Sequence, residues 1–336
     1  MVEKGFIFDY SKCVGCHACM VACYNENHTQ PPISWRQVQS SNPLKVPLLG
    51  FINLSIACNH CLDAPCLKAC PAQAYKIDVK TLAVIHHAGL CIGCTYCTWA
   101  CPFDAPKYNR SKGVVEKCNF CNDRLKEALA PACVSSCPTG ALSFGDIEVA
   151  DAVVAPGMPS KSTKPRINTH GESVITSVPE MDVAVTGYSP DYPLSNQIKS
   201  KVDAIKEWPL AIFTFLSSVM VGWIIYIATK FPDAKHPYFF GILGFAGMIL
   251  STFHLGKPFR AYRSVFNFKT SWLSREVLLF IAFYALSTLS LFANLSITYY
   301  RVSALVGVLL LISVEYVYSV ATKKYVTPFH SANTLL

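Results

Sequence analysis

The sequence has few charged residues and lacks several common functional signatures. Asp, Glu, Lys and Arg make up only 15% of its 336 residues. It contains no P-loop and no glycine-rich dinucleotide fingerprint, which excludes the phosphate-binding loops most typical of nucleotide-dependent enzymes. Its N-terminus shows no cleavable or twin-arginine signal, so we expect the chain to carry no export signal of its own.

The few charges are distributed unevenly along the chain. Residues 1–198 contain 16 basic and 16 acidic residues, whereas residues 199–336 contain 13 basic and 5 acidic residues, so the net charge of +8 lies in the second part. That part is also the more hydrophobic one, and basic residues beside apolar runs are typical of membrane-protein loops. The pattern favours a lipid bilayer as the partner, and we expect no nucleic-acid binding.

Sixteen cysteines form four groups of four, with none left over. In the first and third groups the spacing is C-x2-C-x2-C-x3-C, typical of [4Fe-4S] ferredoxins, and the other two groups have a longer gap before the third cysteine. The groups are Cys13, Cys16, Cys19 and Cys23; Cys58, Cys61, Cys66 and Cys70; Cys91, Cys94, Cys97 and Cys101; and Cys118, Cys121, Cys133 and Cys137. The pattern predicts ligands for four [4Fe-4S] clusters, and hence a chain that transfers electrons.

Zinc sites and disulfides are the alternatives to iron–sulfur clusters. Zinc takes four ligands, typically from two well-separated cysteine pairs, and this does not account for the regular fourth cysteine. A disulfide scaffold is typical of short secreted chains. Gly15 and Gly93 lie inside cysteine loops, where the absence of a Cβ lets the backbone fold tightly around a cluster. Iron–sulfur clusters are therefore the favoured interpretation.

The cysteines all lie in residues 1–149, which are interpreted as an α+β domain with two ferredoxin-like units in tandem. The apolar runs Ile52–Ala57 and Leu82–His86 predict short strands that lead towards the second and third cysteine groups. Residues 150–207 contain stretches rich in Pro, Ser, Thr and Gly, and are interpreted as a linker or as a strap over the cysteine domain.

The remaining residues, 208–336, are interpreted as an all-α transmembrane bundle. Apolar stretches of 18 to 21 residues occupy 209–229, 238–255, 277–297 and 302–321. About 20 residues at ~1.5 Å each cross a hydrocarbon layer about 30 Å thick, so four spans are predicted. The alternative, buried helices of a large soluble protein, does not account for four such stretches so close together.

The basic residues near the span ends predict the orientation of the chain. Ten of them lie on the side of the cysteine domain and three lie on the opposite side. Because basic loops favour the cytoplasm, we expect the cysteine domain on the cytoplasmic side of the inner membrane. A basic loop between the second and third spans can also be charged for chemical reasons, and a secreted partner can supply an export signal.

Besides the four cysteine groups, the first domain contains the stretches Cys91–Pro102, Ala105–Tyr108, Lys117–Leu125 and Pro131–Leu142. Through these motifs nearly all of residues 4–147 resemble the four-cluster iron–sulfur subunit of molybdopterin oxidoreductases, a group that includes dimethyl sulfoxide reductase and polysulfide reductase. This resemblance implies that the first motif pairs with the fourth and the second with the third. The implied ligand sets are set 1 (Cys13, Cys16, Cys19, Cys137), set 2 (Cys23, Cys118, Cys121, Cys133), set 3 (Cys58, Cys61, Cys66, Cys101) and set 4 (Cys70, Cys91, Cys94, Cys97).

The connection between the second and third predicted spans contains the motifs His254–Ala261 and Ser271–Glu276. Through these motifs the apolar half resembles the membrane anchor subunit of dimethyl sulfoxide reductase, and they resemble the loop between that family's second and third spans. Together the two resemblances imply a fusion of subunits that are normally made separately. The family anchor has eight spans and four are predicted here, so we expect either a C-terminally incomplete chain or a shortened bundle.

Four ionisable residues cluster near the predicted membrane boundary on the side of the cysteine domain. They are His254, Arg275, Glu276 and Glu315. Ionisable groups in spans are costly and usually functional, and the oxidation of a quinol releases two protons that imidazole and carboxylate groups can accept. We therefore expect a quinol site there. An interfacial histidine, a helix-start ion pair and a carboxylate paired with another span are the structural alternatives.

Haem is not expected, because only His254 lies within a predicted span and a b-type haem needs two histidines at membrane depth. The expected function is electron transfer from menaquinol, through four clusters, to a separate molybdopterin subunit that reduces an S-oxide or N-oxide in anaerobic respiration. No substrate-binding signature marks this chain as the site of acceptor reduction. The alternatives are the same relay run from a dehydrogenase to quinone, and a membrane-tethered polyferredoxin.

Overall fold

A computed structural model describes residues 2–40, 52–148, 163–171, 204–230 and 236–318, with side chains from Trp208 onward in the fourth of these ranges. The described residues before 172 form small sheets and short helices, and those from 204 onward are helical. This agrees with the predicted α+β domain followed by an all-α bundle. Most of the predicted linker, 150–207, lies outside the described residues.

The sheets of the first domain are small. Their strands are β1 (Val2–Asp9), β2 (Gln37–Ser40), β3 (Asn53–Ile56), β4 (Tyr75–Ile77), β5 (Val84–His86), β6 (Lys107–Asn109), β7 (Val114–Glu116), β8 (Leu142–Glu148) and β9 (Ile167–His170). β1 is the centre of a three-stranded sheet, antiparallel to β8 and parallel to β9. The pairs β2–β3, β4–β5 and β6–β7 are antiparallel hairpin-like units. Part of the segment interpreted as a linker or strap thus adds a strand to the cysteine domain.

Five short helices stand between these strands in the part of the chain that the structure describes. They are α1 (Ala18–Asn27), α2 (Pro65–Ala69), α3 (Tyr96–Ala100), α4 (Asn122–Lys126) and α5 (Ala132–Ser135). Each helix either contains a cysteine or follows one directly. The residues before α1 and α3, His17 and Thr95, adopt the left-handed conformation with φ of 60°, which turns the chain sharply from the cysteine loop into the helix.

The described residues of the second domain form four longer helices. They are α6 (Ala204–Lys230), α7 (Pro237–Phe253), α8 (Trp272–Phe292) and α9 (Ile297–Tyr318). Within the described residues, Trp208–Lys230, α8 and α9 are long and apolar enough to cross a membrane by themselves. α7 qualifies only together with the 3-10 helix Pro258–Val265, from which it is bent by 105°. The described residues therefore contain three spans, or four if this bent pair is one span.

The helices of the anchor pack around a core rich in aromatic residues. Phe240, Phe283 and Tyr300 are completely buried there. Gly244 allows α7 to approach α8, because a Cβ at this position would lie 2.2 Å from the Tyr284 ring. Large apolar residues such as Phe245 remain exposed on the outside, as expected for helices that face lipid rather than water.

Candidate iron–sulfur centres and their contact with the membrane anchor

Two of the four ligand sets surround distinct cavities. One cavity is lined by all four cysteines of set 1, namely Cys13, Cys16, Cys19 and Cys137. The other is lined by all four cysteines of set 3, namely Cys58, Cys61, Cys66 and Cys101. In both cases three thiols come from one loop and the fourth from a distant motif, as the resemblance implies. Cys16 is the exposed member of set 1, whereas the thiols of set 3 are buried.

Within set 2, and likewise within set 4, the four thiols lie close to one another. Burial raises the pKa of Cys97, and the nearby thiols of Cys94, Cys70 and Cys91 raise it further. These four residues are the members of set 4. The same neighbour relations join the members of set 2, which are Cys23, Cys118, Cys121 and Cys133.

The donor set suits a cubane cluster, in which each of four irons needs one thiolate. Sets 1 and 3 each provide four sulfurs around one cavity, the members of sets 2 and 4 are close to one another, and most of the sixteen cysteines are buried. Among the residues that the structure describes, no three or more His, Cys, Asp or Glu side chains converge as they would on a single metal ion.

A left-handed residue shapes each cysteine loop, two positions after its first cysteine. Gly15 and Gly93 have φ of 70° and 72°, as the glycines led us to expect, but His60 and Phe120 adopt φ of 42° and 68° at the equivalent positions. The backbone N–H groups of His60, Gly93 and Phe120 each donate to the sulfur of the preceding motif cysteine at 3.4 Å. Such bonds help to set cluster potentials.

The four sets form a line. α1 carries Cys19 of set 1 and Cys23 of set 2. The segment from Cys66 to Cys70, which includes α2, links set 3 to set 4 in the same way, and the segment from Cys97 to Cys101 does so again. Sets 2 and 3 meet where the thiol of Cys118 lies close to that of Cys58. The order across the domain is therefore set 1, set 2, set 3 and set 4.

A lysine lies at the junction between sets 2 and 3. Lys117 is 3% exposed, and its ammonium group donates to the carbonyl oxygens of Val84 and, at 2.9 Å, Cys118. Burial lowers the pKa of Lys117, but the nearby thiols of Cys58, Cys66 and Cys118 raise it more, so the net shift is upward. The side chain therefore stays protonated among cysteine sulfurs.

Two buried arginines accompany this lysine. Arg36 is 2% exposed and donates to the Ser55 hydroxyl at 3.0 Å. Arg166, which lies beside β9, is completely buried and donates to the carbonyl oxygens of His60 at 2.8 Å and Leu82 at 2.5 Å. Arg166 thus ties the β9 segment to the loop of set 3.

The connection between α7 and α8 binds directly to the loops of set 4. Its side chains and backbone donate to a row of carbonyl oxygens in the cysteine domain. These bonds are Lys257 N to Ile92 at 3.1 Å, Arg260 Nη1 to Cys91 at 3.2 Å, Arg263 Nη2 to Ala72 at 3.3 Å, Asn267 Nδ2 to Cys70 at 2.9 Å, and Ser271 Oγ to Ala69 at 2.7 Å. Two of the acceptors belong to cysteines of set 4, so the anchor touches that set and no intervening segment separates them.

Three glycines allow the two domains to approach this closely. A Cβ on Gly93 would lie 2.4 Å from the carbonyl oxygen of Gly113 and 2.8 Å from the Cα of Gly256. A Cβ on Gly256 would lie 2.2 Å from that same carbonyl oxygen. Since non-bonded atoms rest about 3.5–4 Å apart, only glycine fits at this contact.

Aromatic residues of the set 4 segment extend the contact to α9. The Tyr96 hydroxyl donates to the carbonyl oxygen of Val317 at 2.9 Å. Trp99 stacks on Tyr318 with ring centroids 6.1 Å apart. Burial raises the pKa of Tyr96, and the nearby Glu276 carboxyl group raises it further. Tyr96 therefore lies between the cluster loop, the end of α9 and the start of α8.

The predicted quinol-site residues all lie at span ends near this contact. His254 follows the last residue of α7, and the next residue, Leu255, packs against the core that contains Cys91 and Cys97. Glu276 lies in the second turn of α8 and is 3% exposed.

The other two predicted residues have different surroundings. Glu315 is partly buried on α9, two positions before Val317. Arg275 donates to the carbonyl oxygens of Phe268 at 2.9 Å and Lys269 at 2.6 Å, and it lies 4.3 Å over the Trp272 ring. These contacts fix Arg275 as a support of the connecting loop.

Comparison with known proteins agrees with this two-part architecture. Residues 6–26 match the 4Fe-4S binding domain family and residues 51–147 match the 4Fe-4S dicluster domain family. Residues 202–336 match the DMSO reductase anchor subunit (DmsC) family. The B subunit of anaerobic dimethyl sulfoxide reductase from Escherichia coli K12 is 39% identical over 179 residues, which cover 49% of this chain and 87% of that protein. The chain belongs to the dimethyl sulfoxide reductase family.

Other relatives share the iron–sulfur half of this family. The B subunit of polysulfide reductase from Wolinella succinogenes is 36% identical over 48% of this chain and 87% of its own length. The thiosulfate reductase electron transfer subunit PhsB of Salmonella typhi is 41% identical over 42% of this chain and 75% of its own length.

The predicted fusion is confirmed, because an iron–sulfur subunit and an anchor subunit of the dimethyl sulfoxide reductase family are joined in one polypeptide. The chain is an electron-transfer protein with [4Fe-4S] clusters and several membrane-spanning helices. The sequence analysis did not predict that Tyr96, Asn267 and Gly256 take part in the contact between the domains. Gly256 belongs to the motif His254–Ala261, but the sequence does not show which surface it packs against.

Proposed function

We propose that this chain oxidises menaquinol at the membrane and passes the electrons through four [4Fe-4S] clusters to a molybdopterin subunit that reduces an S-oxide or N-oxide. The clusters would be held by sets 1 to 4 as defined above, and they supply one-electron redox chemistry when bound. No haem takes part in this route.

The observation that carries the proposal is the direct contact between the α7–α8 connection and the set 4 loops. Arg260 and Asn267 donate to carbonyl oxygens of Cys91 and Cys70 themselves. An electron that leaves a quinol at the span ends therefore enters the cysteine domain at set 4. From there the line of sets leads to set 1, where Cys16 is exposed and a catalytic subunit can dock.

Protons need acceptors where the quinol is oxidised. A quinol loses two electrons and two protons, and the electrons leave one at a time along the line of sets. His254 would accept one proton, since imidazole titrates near neutral pH. Glu276 and Glu315 would hold the ring hydroxyl or accept the second proton, and a carboxyl group as buried as Glu276 in a span is usually functional.

Arg275 keeps the connecting loop in place through its bonds to Phe268 and Lys269. We propose that its contribution to quinol oxidation is indirect, through the position of Trp272 and the start of α8. We also propose an inner-membrane location with the cysteine domain on the cytoplasmic side, on the ground that basic residues are more frequent near the span ends on that side.

The same residues can also transfer electrons from a dehydrogenase to quinone. The relatives favour the reductive direction, since the E. coli, W. succinogenes and S. typhi proteins are named as subunits of reductases. A tethered polyferredoxin without a quinol site is the remaining alternative.

The proposal is tested with the full chain, purified without oxygen and reconstituted in lipid with a menaquinol analogue. After rapid mixing, the menaquinol analogue should reduce the clusters. His254→Ala should slow this reduction while the iron content stays at about sixteen per chain. Clusters that a strong chemical reductant can reduce, but quinol cannot, would leave the tether as the better explanation. Copurification with a molybdenum-containing subunit tests the partner.

A further inference from the structure

Lys117 is buried in a place where a cation needs a compensating charge. A buried ammonium group is costly unless it is paired. Among the described residues, Lys117 forms no ion pair with a carboxylate, and its hydrogen-bond acceptors are two backbone carbonyls, those of Val84 and Cys118. Carbonyl dipoles orient the group but do not neutralise it.

The compensating charge is available from sulfur on two sides. Val84, whose carbonyl oxygen accepts a hydrogen bond from Lys117, lines the cavity of set 3, and Lys117 lies near Cys58 and Cys66 of that set. It also lies near Cys118 of set 2. It is therefore the fixed cation that stands between the two central sets of the line.

We propose that Lys117 is a positioning residue for electrons, whose permanent charge raises the reduction potential of the two central clusters. This inference rests on the proposed four-cluster ligand sets. When either cluster takes up an electron, the negative charge beside the ammonium group grows by one. Attraction to a fixed cation in a poorly solvated site favours the more negative state, and net charge is one of the quantities that set cluster potentials.

The position of the charge gives it a role in the relay. A central pair with low potentials would form a barrier between set 4, where electrons enter, and set 1, where they leave. Lys117 lowers that barrier for both central clusters at once, because it lies between them. Arg36 lies beside sets 1 and 2, and Arg166 lies beside set 3, whereas Lys117 lies near cysteines of both central sets.

The test is a redox titration of the full chain, followed by electron paramagnetic resonance, on three variants. Lys117→Met removes the charge and keeps the length of the side chain. Lys117→Arg keeps the charge. Lys112→Met is the matched control, because Lys112 is 60% exposed and its ion pair with Glu116 is at the surface. Variants that lack one ligand cysteine of each set assign the signals.

Lys117→Met is expected to lower the midpoint potentials of the clusters of sets 2 and 3 by at least 59 mV, which is a tenfold change in a one-electron equilibrium. The potentials of sets 1 and 4 are expected to change less, and Lys112→Met is expected to leave all four unchanged. Lys117→Arg is expected to restore values close to those of the parent chain.

A Lys117→Met protein with full iron and unchanged central potentials overturns the inference. If that variant does not assemble its clusters, Lys117→Arg decides, because a shift as large as 59 mV in the charge-conserving variant also overturns it. The iron and spin counts of the unmodified chain distinguish a failure of the Lys117 inference from a failure of the proposed ligand sets. Fewer than four clusters in the parent chain would refute the ligand sets, whatever Lys117 does.

Discussion

Gly256→Ala tests whether the contact between the anchor and set 4 is the point at which electrons enter. The added Cβ would lie 2.2 Å from the carbonyl oxygen of Gly113 and 2.6 Å from the Tyr108 hydroxyl. Since non-bonded atoms rest about 3.5 Å apart, the loop must move away from the cysteine domain by roughly 1 Å. A backbone carbonyl on the other side cannot rotate aside as a side chain can.

The size of the effect follows from overpacking and from two hydrogen bonds. Inserting a methyl group into a packed contact costs about 1–3 kcal/mol. The displacement also weakens Gly256 N to Gly93 O, at 3.4 Å, and Lys257 N to Ile92 O, at 3.1 Å, each worth about 0.5–1.5 kcal/mol net. A loss of about 2 kcal/mol raises the population of the open loop about 30-fold.

Two measurements report this change. Hydrogen exchange at the amides of Gly256 and Lys257 should accelerate by about 30-fold, because local opening controls exchange. The rate of cluster reduction by the menaquinol analogue should fall, because the added Cβ displaces the loop from the cysteine domain even when the loop is closed. All four clusters should still be reducible by a strong chemical reductant, since no ligand is altered.

Gly89→Ala is the matched control, because a Cβ at Gly89 meets nothing within 4 Å. It should leave both the exchange rates and the rate of quinol oxidation unchanged. If Gly256→Ala accelerates exchange at the loop but quinol reduces the clusters at the parent rate, electrons do not enter through this contact, and the proposed route is wrong.

Three further changes test other parts of the site. Cys94→Ser should convert or remove one cluster, so that spin counting finds about three others and quinol no longer reduces them; four unchanged signals would contradict set 4. Glu276→Gln should slow quinol oxidation while the iron content and the midpoint potentials stay constant, and an unchanged rate would assign Glu276 a structural role. Asn267→Leu leaves the carbonyl oxygens of Lys68 and Cys70 without their amide donor, so the free energy of loop opening should fall by about 1–3 kcal/mol. Hydrogen exchange of the α7–α8 connection measures this change, and Asn294→Leu, at the other end of α8, is the comparison.

The elements of the cysteine domain were largely predictable because its motifs are local. A spacing of two residues between cysteines forces a compact loop, and the runs Ile52–Ala57 and Leu82–His86 do contain the strands β3 and β5. The pairing of distant motifs was available only through the resemblance, because spacing within one motif does not tell which other motif is near it.

Other features depend on contacts that no local pattern encodes. His60 and Phe120 adopt the conformation expected of Gly15 and Gly93, and they do so in a stack whose ring centroids are 4.1 Å apart. The tertiary packing overrides a preference that is worth about 1–2 kcal/mol. The strand β9 was not predicted for a similar reason. Its four residues pair in parallel with β1, which lies at the opposite end of the cysteine domain in the sequence.

In the anchor, too, the sequence predicted features that depend on local residues and missed those that depend on distant contacts. Length and hydropathy predicted spans that overlap α6, α8 and α9, and these helices are long enough to span a bilayer. The third stretch, 277–297, was placed five residues too late, because α8 begins at Trp272 and ends at Phe292. The stretch 238–255 was predicted as a simple span, but α7 ends at Phe253 and the chain bends by 105° into the next helix. The bend places the connecting residues against the cysteine domain. This placement depends on the surface that the connection meets, so the local sequence could not predict it.

The basic residues of that connection have a use that is independent of membrane orientation. Arg260 and Arg263 bind carbonyl oxygens of the cysteine domain, and Arg275 binds those of the loop itself. Their charges would be needed on either side of the membrane. Of the ten basic residues that predicted a cytoplasmic domain, seven remain once these three are removed, against three on the opposite side. The proposed orientation therefore depends on the lysines more than on the arginines, and chemical labelling of Lys323 and Lys324 from either side would decide it.

The fusion changes what this contact has to achieve. Two separate subunits must bind each other at their cellular concentrations, whereas two domains of one chain meet at an effective concentration set by the connection. A small contact, made of hydrogen bonds to backbone carbonyls, the aromatic contacts of Tyr96 and Trp99, and three glycines, is then sufficient for docking. Its geometry can be selected for a short distance between the domains rather than for high affinity. This accounts for a junction in which Gly93, Gly113 and Gly256 give up side-chain contacts to bring the backbones together.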